Sequence, residues 1–309
     1  MSVPVLIDCD PGHDDAMALL LALGSPELDV LGVTTVHGNQ TLDKTTQNAL
    51  KVLELAGRTD ISVAAGAARP LVGEAAVAAD VHGESGMDGP DLPDPTTAPV
   101  EAHAVEFLAQ RLLASDRPVT LIPTGPLTNV ALLLALHPRA AERIERIVLM
   151  GGAVAEGNVT PAAEFNIWVD PEAAARVFAS GIDVTMVGLD VTHRALLTPA
   201  HAQSLRAGGR IGAFTADLHA FYARFHADLY GWDGAPVHDA VAVAHVIRGD
   251  LVRTEHRNVE IELGSPLCRG RTVVDLWERT GRARNAHVGL DLDAEGFLSL
   301  LVERIGSFD

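Results

Sequence analysis

Four carboxylates crowd one stretch near the start of the chain, Asp8-Cys9-Asp10-Pro11-Gly12-His13-Asp14-Asp15. They follow the apolar run Val3-Pro4-Val5-Leu6-Ile7, which reads as a short buried strand. After Pro11-Gly12 the pattern switches to Ala16-Met17-Ala18-Leu19-Leu20-Leu21-Ala22-Leu23, a buried helix closed by Gly24. The acidic groups therefore sit in a turn between a strand's C-terminal end and a helix's N-terminus. Like charges at that spacing repel one another unless a cation or strong donors neutralise them. An oxygen-only donor set is what Ca²⁺ or Mg²⁺ prefers, so a divalent ion is the first expectation. Capping of the helix explains one or two aspartates. It does not explain four.

Composition narrows the partners. The formal net charge of −18 argues against a nucleic-acid polymer, because phosphate contacts need clustered Lys and Arg. Lysine occurs only as Lys44 and Lys51, and neither completes a phosphate-cradling P-loop. Cys9 and Cys268 are the only cysteines, which excludes a four-cysteine zinc site and a disulfide framework. Hydrophobic residues make up 48% of the chain, enough for a large core. No apolar run reaches membrane-spanning length, and the first strand begins too early for a signal peptide. The expectation is a cytoplasmic protein without membrane contact.

The elements that must position these carboxylates alternate regularly. Strands are expected at Leu28–Val36, Ile61–Ala64, Val119–Ile122, Ile147–Met150 and Ile182–Leu189. Helices are expected from Thr41 to about Gly57, Glu101 to Ser115, Val130 to Leu136 and Pro171 to Ser180. This pattern predicts an α/β fold: one large, doubly wound, mostly parallel sheet with flanking helices, Rossmann-like, over residues 1–309 as a single domain. Past residue 190 the chain turns helical, with Pro199–Ala207, Ile211–Tyr230 and His238–Ile247 as a helical insertion in the C-terminal third. Strands around Asn258–Leu263, Thr272–Leu276 and His287–Leu292 and a helix from Ala294 complete the reading. The Pro/Gly-rich stretch from Gly66 to Pro99 is long for an idle connection and reads as a functional loop. Asp10, Asn39, Thr124, Met150 and Asn166 all fall at or just beyond strand ends, where doubly wound folds bind ligands.

Taken together, the chain resembles the nucleoside hydrolase family over essentially its full length. The motifs carrying the resemblance are Asp8–Asp15, Val36-His37-Gly38-Asn39, Thr124-Gly125-Pro126-Leu127-Thr128-Asn129, Met150-Gly151-Gly152, Glu164-Phe165-Asn166 and His238-Asp239. The resemblance implies a Ca²⁺ held by Asp10, Asp15, Asp239 and the backbone carbonyl of Thr124. Asp10 would also be the base that deprotonates the metal-bound water. Asp14 and Asn166 would hold the ribose hydroxyls, Asn158 and Glu164 the 5′-hydroxyl, and Met150 would line the sugar pocket. Asn39 and Asp8 would orient the groups on the metal. His238, beside Asp239, would protonate the departing base.

The base end is read from several further residues. His82, in the glycine-rich loop, is a candidate base contact from a mobile lid, whereas His13 and His37 read as structural. Tyr222, Phe225, His226 and Tyr230 form a ladder at helical spacing, a pattern that serves core packing or base stacking, and Phe165 is another pocket candidate. Purine-specific members of the family grip the base with tryptophan; here Gly83 follows His82, which favours inosine, uridine or related pyrimidine nucleosides. His238-Asp239 is followed by Ala240 where the family often has proline, a change expected to touch helix entry more than chemistry. The expected activity is ribonucleoside N-ribohydrolysis, in a homodimer or homotetramer. One rival is a calcium-dependent ribose- or nucleoside-binding protein without catalysis. Against it, binding alone has no need of a base and an acid. The other is a Mg²⁺-dependent aspartate phosphotransferase using Asp8, for which the chain lacks a suitable lysine.

Overall fold

The computed structural model describes residues 2–308. Its centre is an eight-stranded sheet. The first six strands are β1 (Val3–Cys9), β2 (Leu28–Thr35), β3 (Val63–Ala65), β4 (Val119–Pro123), β5 (Ile144–Met150) and β6 (Asp183–Val187). They lie in the order β3-β2-β1-β4-β5-β6, followed by Ala286–Leu292 and Val252–Arg257. Every pairing is parallel up to Ala286–Leu292, and only Val252–Arg257 runs antiparallel at the edge.

This order reverses direction between β1 and β4, so a crevice opens beyond the carboxyl ends of those two strands. Thr124, the residue after β4, donates its backbone N–H to the Asp8 carbonyl at 2.8 Å and holds the two strand ends together. Apolar runs such as Leu6-Ile7 and Leu121-Ile122 are fully buried because helices cover both faces. The helices His13–Leu23, Leu42–Leu55, His238–Ile247 and Ala294–Ile305 pack into one core, and Ala104–Ala114, Thr128–Leu136 and Pro171–Phe178 into the other.

Three features depart from the expected element list. The first helix begins at His13, so Asp14 and Asp15 belong to its first turn. Val259–Ile261 and Thr272–Val274 form a separate antiparallel pair outside the main sheet. The edge position is taken instead by Val252–Arg257, whose charged residues suit a strand open to solvent on one side. Between Gly66 and Pro99 the only helix among the described residues is the single turn Ala79–His82. Glu54 anchors the far end of that segment, accepting the backbone N–H groups of Thr96 and Thr97 at 2.7 and 2.6 Å.

Candidate active site

Three chain segments meet at the crevice. The end of β1 supplies Asp8 and Asp10, and the first turn of the following helix supplies Asp14 and Asp15. The first turn of His238–Ile247 supplies Asp239. Asp14, Asp15 and Asp239 each present a carboxylate oxygen within 4.8 Å of the other two, and all three are buried. Asp15 is held rigidly, accepting from Gly12 N at 3.0 Å, Asn39 Nδ2 at 2.9 Å and Thr124 Oγ1 at 2.8 Å. Asp10 Oδ2 accepts the Asn39 backbone N–H at 2.7 Å, while its Oδ1, sealed from solvent, has no partner among the described residues. A methyl group at Gly38 or Gly125 would run into that carboxylate, so both positions need glycine.

Electrostatics mark the cluster as incomplete without a cation. Burial pushes Asp10 and Asp239 well above the usual carboxylate range and raises Asp15, with neighbouring aspartates adding to the shift of the first two. Burial, then the charge of Asp15, lifts Asp14 to about 7. The three carboxylates of Asp14, Asp15 and Asp239 fit a divalent cation, and Asp10, outside that triad, keeps a buried oxygen without a partner among the described residues. Asp8, which does not line the cavity, accepts at Oδ1 from Thr34 Oγ1 at 2.6 Å and Asn129 Nδ2 at 2.8 Å.

Above the cluster lies a cavity of about 540 Å³. Asp14, Asn39, Thr124, Met150, Asn166 and Asp239 line its acidic end. Asn166 Nδ2 donates to the Thr124 carbonyl at 2.7 Å and to the Met150 carbonyl at 3.2 Å. Glu164 caps the short helix Phe165–Val169, accepting from Asn166 N and Ile167 N at 2.9 and 3.2 Å, and also from Gly152 N at 2.8 Å. Burial raises its carboxyl to about 7. Asn158 Oδ1 accepts Phe165 N at 2.9 Å, which leaves the amide's N–H₂ for a ligand.

Much of the remaining lining is aromatic. Tyr222, Phe225, His226 and Tyr230 line the cavity from one side of the helix Gly209–Tyr230, with Tyr222 and His226 buried. The Tyr222 and His226 rings meet edge to face at 4.5 Å, and Tyr230 stacks on Trp232 at 4.5 Å. His82 reaches the cavity from the Ala79–His82 turn. It rests on His13, whose Nδ1 lies 3.1 Å from His82 Nδ1 and whose Nε2 donates to the Asp88 carbonyl at 2.9 Å. His13 itself does not line the cavity. His238 completes the wall, and burial holds its imidazole well below the usual histidine range.

Of the residues given a site role in the sequence, Asp8, Asp10 and Asp15 are buried outside the lining, as are His13 and His37, which were read as structural, and the others line the cavity. Among the lining residues that were not expected are an imidazole and an indole, His193 and Trp168. His193 follows the turn Leu189–Thr192, and its ring meets that of His238 edge to face at 5.6 Å. Trp168 follows Asn166 by two positions in a motif already marked as a candidate.

Known proteins share both the sequence and this architecture. Residues 5–299 match the family model described as inosine-uridine preferring nucleoside hydrolase. A pyrimidine-specific ribonucleoside hydrolase of Salmonella arizonae is 52% identical over 307 residues, covering 99% of each chain. Among solved structures, a purine-preferring ribonucleoside hydrolase from Gardnerella vaginalis superposes with a TM-score of 0.93 at 33% identity, covering 99% of this chain and 98% of that one. An inosine-guanosine nucleoside hydrolase gives 0.91 at 30% identity, with 99% of each chain covered.

Proposed function

The chain belongs to the inosine-uridine preferring nucleoside hydrolase family, and from that premise we propose that it is selective for pyrimidine ribonucleosides, with calcium held by Asp10, Asp15, Asp239 and the Thr124 carbonyl. Nucleoside hydrolysis, the cleavage of an N-glycosidic bond by water, is its activity. The observation that carries the reading is a single cavity lined both by the carboxylates of Asp14 and Asp239 and by rings and imidazoles, among them Tyr222, His82 and His238. The 52% identity to a pyrimidine-specific relative supports the choice of base.

Each residue then has a task. Asp14 and Asn166 hold the ribose 2′- and 3′-hydroxyls, and Asn158 with Glu164 holds the 5′-hydroxyl. Glu164, with a carboxyl near neutrality, both accepts and donates there. When bound, the cation neutralises the carboxylates and makes a nearby water more acidic. Asp10 takes the proton from the water that attacks C1′. The bond from C1′ to the base nitrogen breaks, its electron pair leaves with the base, and positive charge grows on the sugar. Carboxylate and amide oxygens fixed in a buried site stabilise that charge without having to reorganise. His238 meets the negative charge developing on the base.

A homodimer or homotetramer in the cytoplasm belongs to the same reading. Leu267 and Trp277, 83% and 85% exposed, are apolar surface that a second copy would cover. Cys9 and Cys268 are free thiols, and no helix among the described residues is long and apolar enough to cross a membrane.

The test is release of reducing sugar from uridine, cytidine, inosine, adenosine, guanosine and their 2′-deoxy forms, with and without a chelator and with calcium or magnesium restored. Uridine and cytidine ahead of the purines, and recovery by calcium, are expected. A purine at the head of the ranking would overturn the choice of base.

A further inference from the structure

Thr192 makes a contact that the roles above do not use. It ends the turn Leu189–Thr192 just beyond β6, is fully buried, and places Oγ1 2.7 Å from His238 Nδ1. That is the only hydrogen bond its hydroxyl makes among the described residues. The two segments are stitched together next to the contact. Val237 N donates to the Ala195 carbonyl at 3.1 Å, and Leu196–Leu197 pairs antiparallel with Ala235–Pro236. His193 closes on the His238 ring edge to face at 5.6 Å, so the ring has little freedom to turn.

The direction of the Thr192 bond follows from what each atom lacks. A buried hydroxyl hydrogen without an acceptor costs about 1–3 kcal/mol. Were Nδ1 protonated, the Thr192 hydroxyl would accept from it and its own hydrogen would have nowhere to go. With Nδ1 unprotonated, the hydroxyl donates to it and both atoms are satisfied. The ring's proton then sits on Nε2. That atom makes no hydrogen bond with the protein among the described residues, is not sealed from solvent, and belongs to a side chain that lines the cavity.

We propose that Thr192 is a positioning residue that fixes His238 as the Nε2–H tautomer, so that His238 presents a donor to the carbonyl oxygen of the departing base. The inference rests on the reading that His238 acts on the base. It adds which nitrogen carries the proton and what holds it there. It also specifies the substrate feature that is met, an acceptor beside the glycosidic nitrogen, as in the 2-carbonyl of uracil and cytosine. With the other tautomer, Nε2 would present a lone pair to that oxygen and repel it.

Nitrogen-15 NMR of the calcium-loaded full chain, with His238→Gln to assign the signal, reports the tautomer independently of activity. The Nε2–H form is expected in the native protein, and an Nδ1–H form would overturn the proposal. Thr192→Val keeps the shape and removes the donor, so kcat for uridine should fall about tenfold. With p-nitrophenyl riboside, whose leaving group needs no donor, the rate should stay within about twofold. Thr192→Ser should restore uridine turnover, and it remains informative if the valine variant does not fold. Equal losses on both substrates would assign Thr192 to the fold alone and sink the proposal. If His238→Ala proved indifferent to the leaving group while NMR still showed Nε2–H, the role of His238 on the base would fail and the tautomer assignment would stand.

Discussion

The two ends of the cavity are built by different means. The acidic floor is made of strand ends and first helical turns. Its side chains are tied to backbone groups, as Asp15 is to Gly12 and Glu164 is to Gly152. The aromatic part hangs on one flank of the helix Gly209–Tyr230 and the single turn Ala79–His82, and Tyr230 is still 39% exposed. A sheet edge fixes atoms to fractions of an ångström, as the chemistry at C1′ demands. A helix flank and a loop can change shape from one relative to the next while the floor stays put. Purine-preferring and pyrimidine-specific relatives on one architecture are consistent with that division.

The largest effect should come from the floor. Asp10→Asn is expected to lower kcat by roughly 10³-fold or more, within the range for losing a positioned base, while leaving the fold intact. Circular dichroism alongside turnover checks both, and an active variant would remove Asp10 from the role of base. At the boundary between the two ends, His238→Ala should slow uridine cleavage by about 10²-fold and p-nitrophenyl riboside far less. A loss that ignores the leaving group would erase the distinction between the ends.

Metal removal should sharpen it. With folded-state values raised by burial, the carboxyls of Asp10, Asp14, Asp15 and Asp239 favour folding when protonated. That stability is complete below the ordinary aspartate value of 3.8 and is lost as pH rises through the folded values, about 7 for Asp14. The chelated protein should therefore melt roughly 5 °C or more lower at pH 8 than at pH 5. Added calcium should restore the melting temperature at pH 8. A chelated protein whose melting temperature is flat across that interval would contradict the electrostatic account of the floor. The smallest effect belongs to the aromatic end, where Tyr230→Ala should raise KM for uridine by up to about tenfold and leave metal affinity unchanged. Competition with a metal-sensitive dye measures the second quantity.

The same contrast explains what the sequence disclosed. Asp8–Asp15 stands between a clear strand pattern and a clear helix pattern, so its place at a strand end was legible from periodicity alone. The ladder from Tyr222 to Tyr230 was equally visible at helical spacing, though not which face it presented. Val252–Arg257 was missed because Val252 is its single apolar residue, and a polar edge strand has no alternation to read. Thr192 and His193 lie in a turn without periodicity. Their partnership with His238 exists only because the pairing of Leu196–Leu197 with Ala235–Pro236 brings distant segments together.

The distribution of the acidic residues along the chain also bears on synthesis. Asp15 and Asp239 lie far apart in the chain, and the helix that carries Asp15 packs against both His238–Ile247 and Ala294–Ile305. Until Asp239 is made, the early aspartates have no complete site, and closing so long a loop is slow. The nascent chain therefore can assemble its central strands first and gather the acidic floor last. Completion of the acidic cluster then comes late in folding, reporting that the segments carrying Asp15 and Asp239 have met.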